Sequence, residues 1–329
     1  MPVPMKTISI VTPCFNEEPN VEEAYLRVRA VMAGLGRYRY EHIFIDNSST
    51  DRTVEILRRI ASQDTNVKLI VNARNFGHIR SPIHALYQTC GDAAIGIASD
   101  LQEPPELIPD FVREWEKGAC MVLALKNTSD ENRLMFWIRK KYYRLVNRLS
   151  SIDTFENCTG FGLYDRRVID IIKTSFNDPY PYFRGIIAEI GLPHATVPFR
   201  QPRRKGGITK NNFYTLYDMA MLGITNFSKV PLRLMVFAGL AGGLLSFLSG
   251  FGYFIYKLLF WRSFSIGIAP VVIGIFFLGS IQLLFLGVLG EYVGAIHTYV
   301  QKRPLAIEKE RVNFEYEPGP PSERPPVSG

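Results

Sequence analysis

TISIVTPCFNEEPNVEE (7–23) opens as an apolar, β-rich run over 7–13, breaks at a proline, and passes directly into amides and acids and then a helical pattern. A strand that ends in polar groups and feeds a helix is the first half of a βαβ unit. The same order repeats downstream. HIFIDN (42–47), VKLIV (67–71), AAIGIAS (93–99) and CMVLAL (120–125) alternate with helical patterns at about 20–33, 51–62, 79–90 and 104–117. Strands separated by helix-length segments predict right-handed crossovers and an α/β fold whose mainly parallel sheet is covered on both faces. In such sheets ligands bind outside the carboxyl ends of the strands. Those ends carry Asn16-Glu17-Glu18, Asp46-Asn47-Ser48-Ser49, Asn72-Ala73-Arg74-Asn75 and Asp100-Leu101-Gln102-Glu103, so acids and amides collect along one edge.

The chain has 329 residues, 47% of them hydrophobic and 21% charged, with a net charge of +7. That length suggests about two structural units, and the composition excludes collagen, a wholly disordered chain and a disulfide miniprotein. Cys14, Cys90, Cys120 and Cys158 are scattered, with no C-x-x-C pair, and are expected to be free thiols in a reducing compartment. The N-terminus MPVPMKTISIVTPCF has no charged leader before a long apolar stretch, so no secretory signal is expected.

Two stretches interrupt this pattern. Leu234–Tyr256 and Ile266–Leu289 carry no charge, and each exceeds the roughly 20 apolar residues that a helix needs to cross a bilayer core. The linker between them is too short for a domain, which predicts a transmembrane hairpin. Lys229, Arg233, Lys302 and Arg303 flank its open end against Lys257 and Arg262 at its tip, favouring a cytosolic open end. Trp261 and Tyr292 are expected near the interfaces, and NNFYTLYDMAMLGITNFSKV (211–230) reads as an amphipathic juxtamembrane segment. The competing explanation is a pair of buried helices in a large soluble core. Expected boundaries are a catalytic unit over 1–211, the amphipathic segment over 212–231, the hairpin over 232–300, and a tail over 301–329 that reads as disordered after Pro304.

Asn20 and Thr50 precede helical patterns and read as N-caps. Capping explains Asp46 and Asp100 less well, since each ends an apolar strand without directly preceding a helical run. A carboxylate facing a cleft calls for a metal, a base N–H or a ribose hydroxyl as its partner. There is neither a G-x-x-x-x-G-K-[ST] loop nor a G-x-G-x-x-G turn after the first strand, so a P-loop ATPase and an ordinary dinucleotide dehydrogenase lose support. A nucleotide held by carboxylates plus a divalent ion remains.

TISIVTPCFNEEPNVEE, IFIDNSSTDRT, NARNFGH and ASDLQEPPELIPDF together resemble the family 2 glycosyltransferases of GT-A fold. RRKGGITKNNFYTLYDMAMLGITNFSKVPLRL, followed by two spans and GEYVGAIHTYVQKRP, is similar to the polyprenyl-phosphate glycosyltransferases, the group of dolichol-phosphate mannose synthase and bactoprenol glucosyltransferase. By that resemblance Pro13, Phe15, Glu17, Asp46 and Ser99 bind the nucleotide. Asp100 and Gln102 lie by a divalent metal, Mg2+ or Mn2+, and Arg204 and Lys210 cover the diphosphate. Ala98 stands where the family has the first acid of D-x-D, Asn47 where a second Asp is frequent, and Asn157 where relatives often carry Asp. Relatives of this group also suggest a homo-oligomer, and Gly239, Gly242, Gly243 and Gly250 would permit close helix approach.

Sugar transfer from a nucleoside diphosphate requires neutralising the departing diphosphate, the task expected of Asp100 with its ion, Arg204 and Lys210. A lipid phosphate, whose second pKa is about 6, is already ionised as nucleophile, so Asn157 has only to orient it and no strong base is needed. Asp153 and Glu156 are nearby bases if one is used. Lys126 and the basic, aromatic-rich stretch carrying Arg133, Arg139 and Lys140 are expected to meet lipid phosphate or the membrane surface. The same residues could form an ordinary basic surface helix, and RRK at 203–205 could simply meet anionic lipid. The reading is an inverting transferase in the cytoplasmic membrane that moves glucose from UDP-glucose to polyprenyl phosphate on the cytosolic side. GDP-mannose or UDP-aminoarabinose as donor, or a noncatalytic scaffold with a decayed site, are the alternatives. No nucleic acid is expected as partner. A processive polysaccharide synthase is disfavoured, because two helices cannot enclose a polymer channel.

Overall fold

The computed structural model describes residues 5–128, 155, 158–176, 178–202, 230–260 and 268–314. Four βα steps come first: β1 (Thr7–Cys14) to α1 (Val21–Gly34), β2 (Arg39–Asp46) to α2 (Thr53–Gln63), β3 (Val67–Asn72) to α3 (Gly77–Leu86), and β4 (Ala93–Gly96) to α4 (Ile108–Glu116). Then follow β5 (Met121–Thr128), β6 (Cys158–Asp165), α5 (Arg166–Ser175), α6 (Phe183–Ile190) and β7 (His194–Arg200). The sheet has eight strands in the order β7-β5-β6-β4-β1-β2-β3 and finally β8 (Glu308–Val312). β1 pairs in parallel with β2 and β4, β2 with β3, and β5 with β7, whereas β6 and β8 run antiparallel to their neighbours. This is the mainly parallel GT-A-like sheet.

Both faces are covered, which explains why the central strands are apolar nearly throughout rather than alternating. On one face Ile8, Ile10 and Ile95 pack with Phe111 and Trp115 of α4 and Val28 of α1. On the other, Val11, Ile43 and Ile45 pack with Ile83 of α3, Val168 of α5 and Ile186 of α6. Burying one such side chain stabilises by roughly 1.5–3 kcal/mol, so these two layers hold the strand ends in place. β4 is shorter than its apolar run. The Ile97 amide still donates to the Val11 carbonyl at 2.9 Å, but the chain then leaves the sheet, and Leu101 adopts a left-handed φ of 61°.

The helix starts also differ from expectation. Asn20 makes no capping bond to α1; its amide donates to Glu17 Oε2 at 2.7 Å. At α2 the role expected of Thr50 falls to Asp51, whose Oδ1 accepts the Thr53 amide at 3.0 Å and whose Oδ2 accepts the Glu18 amide at 3.1 Å.

The apolar stretches form α7 (Val230–Leu259) and α8 (Ile268–Val300). Their membrane-length windows are Val230–Tyr256 and Phe277–Val300, the second lying later than the uncharged run. None of the first window and 6% of the second is buried, which removes the soluble-core explanation. Leu240, Phe247 and Leu284 are each at least 64% exposed. Both helices are long and apolar enough to cross a bilayer, and exposed apolar surface on this scale fits lipid rather than water.

Residues 305–314 correct the expectation of disorder after Pro304, while PGPPSERPPVSG, on which that expectation rests, lies outside the described residues. β8 adds to the β3 edge, with Val312 opposite Leu69 and Glu308 opposite Asn72. Ala306 is buried, and the Asn313 amide donates to the Ala61 and Val67 carbonyls at 2.7 and 2.8 Å. EKERV (308–312) hides a strand because charged residues are what an exposed sheet edge uses to resist pairing with other chains. Burial alone would raise the Glu308 pKa, but hydrogen bonds from His84 and Arg311 prevail and hold it down at about 2. A carboxyl depressed on folding contributes stability above its ordinary pKa that is lost as pH falls through the folded value. Glu308→Gln is expected to cost about 1–3 kcal/mol at neutral pH. Its melting temperature should converge on the wild-type value as the pH is taken below about 4.5, a convergence that melting curves in detergent check.

Candidate active site

The edge predicted from the sequence is a hydrogen-bonded assembly of three loops. After β1, Asn16 turns with φ 56°; its amide donates to Ser49 Oγ at 2.8 Å, and its side chain accepts the Thr50 amide at 2.8 Å. The Glu17 amide donates to Thr53 Oγ1 at 2.9 Å, so the loop leaving β1 is tied to the start of α2. Pro13 closes the end of β1 with its carbonyl accepting the Ser99 hydroxyl at 3.0 Å, which joins the exit of β4 to β1. Pro13, Glu17, Asp46 and Ser99 are thereby gathered at one edge, with Phe15 between the first two in the chain.

Asp46, opposite Cys14, is fully buried. Burial raises its pKa; hydrogen bonds from Ser49 oppose the rise and the charge of Asp51 adds to it. The Ser49 amide donates to Oδ2 at 2.8 Å and the Ser49 hydroxyl to Oδ1. Asp46 caps no helix, and its own turn supplies two donors to the carboxylate that the sequence reading left to a ligand. Asn47 explains itself as an amide. Its Nδ2 donates to Asn75 Oδ1 at 2.9 Å and the Gly77 carbonyl at 3.2 Å, while its Oδ1 accepts from the Phe76 amide at 2.8 Å and Asn72 Nδ2 at 3.1 Å. A carboxylate could not make the two donations, so Asn47 fixes the loop after β3.

Asp100 sits on the turn after Ser99, with Oδ1 accepting the Gln102 amide at 3.1 Å. Gln102 Nε2 reaches the Pro202 carbonyl at 3.5 Å. Pro202 therefore lies beside Gln102, and Arg204 and Lys210, which follow it in the chain, lie outside the described residues. So do Asn157, Asp153 and Glu156, the lipid-phosphate candidates Arg133, Arg139 and Lys140, and the 212–229 segment. Lys126 is described, in β5, half-buried and opposite Phe199 of β7.

Among the described residues no three His, Cys, Asp or Glu side chains form a metal-holding group. The Asp100 carboxylate and the Gln102 amide carbonyl are hard oxygen donors of the kind Mg2+ and Mn2+ accept, and they fit an ion that takes its remaining ligands from a diphosphate and water.

The sequence places Glu103 among the strand-end acids but marks no role for it. Its Oε2 accepts the amide of Ala98 at 2.8 Å, and its Oε1 accepts the Thr159 hydroxyl of β6 at 2.9 Å. A carboxylate is thus present next to the position where the family's first acid is missing. Burial pushes its pKa up to about 7, against those two hydrogen bonds, with the Asp100 charge adding to the rise. Nothing in ASDLQEPPELIPDF distinguishes Glu103 from Glu106, and Thr159 is 56 residues away. A carboxyl raised on folding contributes stability that is full below its ordinary pKa and is lost as pH rises through the folded value. Melting temperatures between about pH 4.5 and 7 should therefore decline less in Glu103→Gln than in the wild type.

Residues 9–172 match the glycosyl transferase family 2. The SfII prophage-derived bactoprenol glucosyl transferase of Shigella flexneri is 36% identical over 304 residues, 92% of this chain and 97% of that protein. The prophage bactoprenol glucosyl transferase homolog of Escherichia coli (strain K12) is 35% identical over 303 residues, 92% of this chain and 98% of that protein. Among solved structures, a mannosyltransferase from Pyrobaculum calidifontis in complex with GDP-Man and Mn2+ overlays with a TM-score of 0.46 at 13% identity, covering 90% of this chain and 87% of that one. That overlay is too loose to carry an argument, whereas the two relatives run through both the sheet and the apolar helices. With its acid- and amide-lined strand ends on a mainly parallel sheet, the chain belongs to glycosyl transferase family 2.

Proposed function

We propose that this glycosyltransferase moves glucose from UDP-glucose, with inversion at the anomeric carbon, onto polyprenyl phosphate at the cytosolic face of the membrane. The observation that carries the reading is the union, in one chain, of an acid- and amide-lined strand-end edge with two exposed apolar helices, matched over 92% of its length by relatives named for bactoprenol and glucose. A lipid acceptor stays in the bilayer, so the enzyme must hold its donor site against the membrane.

In this reading Asp46 meets the nucleotide, and Asp100 with Gln102 holds the diphosphate end. A divalent ion, when bound there, supplies charge neutralisation to the leaving group. Arg204 and Lys210 add positive charge on the side of the departing diphosphate. The acceptor phosphate carries its own negative charge at neutral pH, and Asn157 donates a hydrogen bond that orients it, with Lys126 and its basic neighbours offsetting its charge. Glu103 keeps the Asp100 turn in shape through Ala98 and Thr159.

Full-length protein incubated with Mg2+, labelled UDP-glucose and polyprenyl phosphate should yield a labelled lipid whose formation requires all three additions. Transfer from GDP-mannose or UDP-aminoarabinose in place of UDP-glucose would revise the donor. Absence of turnover with any nucleotide sugar would favour the scaffold suggested by Ala98 and Asn157.

A further inference from the structure

A cavity of about 350 Å³ lies at the foot of α8, away from the strand-end site. His84 and Tyr87 from the end of α3, Lys173 of α5, Asp178, and Lys302 and Arg303 from the stretch after α8 all line it. Lys302, with φ 45°, ends the helix and turns the chain onto the globular unit. The cavity mouth is therefore only two residues beyond the apolar window that closes at Val300.

Its charge is unbalanced. Asp178 is the one acid in a lining that holds Lys173, Lys302 and Arg303, and its oxygens already accept from the Tyr299 hydroxyl at 2.7 Å and the Tyr180 amide at 2.8 Å. His84 is engaged by Glu308 at 2.6 Å, and among the described residues Lys173 Nζ reaches the Tyr87 carbonyl at 3.4 Å without an ion pair. No ion pair joins Lys302 or Arg303 to any described residue. Arg80 adds to the field beside them: its guanidinium donates to the Pro304 carbonyl, while its Nε is buried without a hydrogen-bond partner. Burial, Arg74 and Arg303 lower the Arg80 pKa, as expected where positive charge lacks a counterion. Clustered cations around a concave space call for an anion with several acceptor oxygens. The volume falls within the range of about 300–1,000 Å³ typical of small-molecule pockets, large enough for a headgroup with its glycerol rather than a bare ion.

We propose that this cavity binds the phosphate of an anionic membrane phospholipid, with Lys302, Arg303 and Lys173 around the phosphate oxygens. It shares no residue with the donor edge or with the acceptor-phosphate candidates. A lipid held there would pin the α3–α5 face to the bilayer and fix the tilt of the catalytic unit. The proposal rests on α7 and α8 spanning the membrane and not on the transfer reaction. Alkaline extraction of membranes tests that premise separately, because a spanning protein stays in the pellet.

The test uses full-length protein in nanodiscs of phosphatidylcholine with phosphatidylglycerol, followed by native mass spectrometry of the released protein. Wild type should retain phosphatidylglycerol over phosphatidylcholine. Each cation hydrogen-bonded to the phosphate is worth at least roughly a fivefold change, so Lys302→Gln with Arg303→Gln should lower retention about 25-fold or more. Arg303→Gln alone should lower it, whereas Arg233→Gln, which removes a charge near the same membrane end but outside the cavity, should leave it close to wild type. Unchanged retention in the double variant, or an equal loss in Arg233→Gln, would overturn the site. Thermal stabilisation by inorganic phosphate in pure phosphatidylcholine, lost in the double variant and unaccompanied by phosphatidylglycerol retention, would overturn the lipid as its source.

Discussion

Replacing Asp100 by Ala is expected to lower kcat/KM for sugar transfer roughly 10³-fold while the protein still folds. In the proposed reading Asp100 is the acid that would hold the metal, since the other position of the pair is Ala98. In a site with two acids at the pair, loss of one leaves a partial ligand set; here Glu103 lies close by but is held by the Ala98 amide and the Thr159 hydroxyl, so Gln102 is the ligand left after Asp100 is removed. Asp100 also accepts the Gln102 amide at 3.1 Å, so the Ala variant disturbs the turn as well as removing charge. Asp100→Asn separates the two effects, because its side-chain oxygen still accepts that bond but carries no charge. Both variants should lose transfer to a similar degree, with melting temperatures near wild type in Asn. Raising Mg2+ should restore part of the rate if the carboxylate works through ion affinity. Retention of more than roughly a tenth of wild-type turnover in Asp100→Asn would remove the carboxylate from the reaction.

The order of strands and helices was legible in the sequence because both faces of the sheet are covered, which leaves uninterrupted apolar runs between polar helix surfaces. Strand ends were legible to within three residues; at β4, Ile97 and Ala98 continue the apolar composition but not the ladder. The candidate edge was legible for a related reason: Asp46 and Asp100 break an apolar pattern abruptly. What stayed hidden was pairing across the sequence. Glu103 acquires its position from Thr159 on another strand, and Asn47 acquires its use from the loop after β3. β8 was hidden by its charges, because local composition does not report that an edge strand has a partner on only one side. The sequence points to Thr50 rather than Asp51 as the cap because neighbouring polar residues compete for the same orphan amides, and only geometry decides between them.

A second large effect is expected at Gly162, where β6 is held between β4 and β5. A Cβ at this position would lie 2.3 Å from the Val122 carbonyl oxygen and 3.3 Å from Leu123 Cα. Both belong to the backbone of the adjacent strand, so no side chain can swing aside to make room. Either β5 moves away, breaking the ladder that Leu123 forms with Gly162, or β6 shifts relative to β4. Overpacking a core costs about 1–3 kcal/mol, and loss of paired strand groups adds to it, against a total stability of roughly 5–15 kcal/mol for a domain. Gly162→Ala should therefore express poorly or melt far below wild type. Two neighbours calibrate the effect. Gly96 would place its Cβ 3.8 Å from the Gly160 carbonyl, an ordinary contact, and Gly96→Ala should stay within about 1 kcal/mol of wild type. Gly160 has open space but φ +95°, so Gly160→Ala should cost an intermediate amount of about 1–3 kcal/mol from backbone strain alone. If full-length Gly162→Ala melts with wild type, β5 does not approach β6 this closely, and the positions of Thr159 and of Glu103 across the site would have to be redrawn with it.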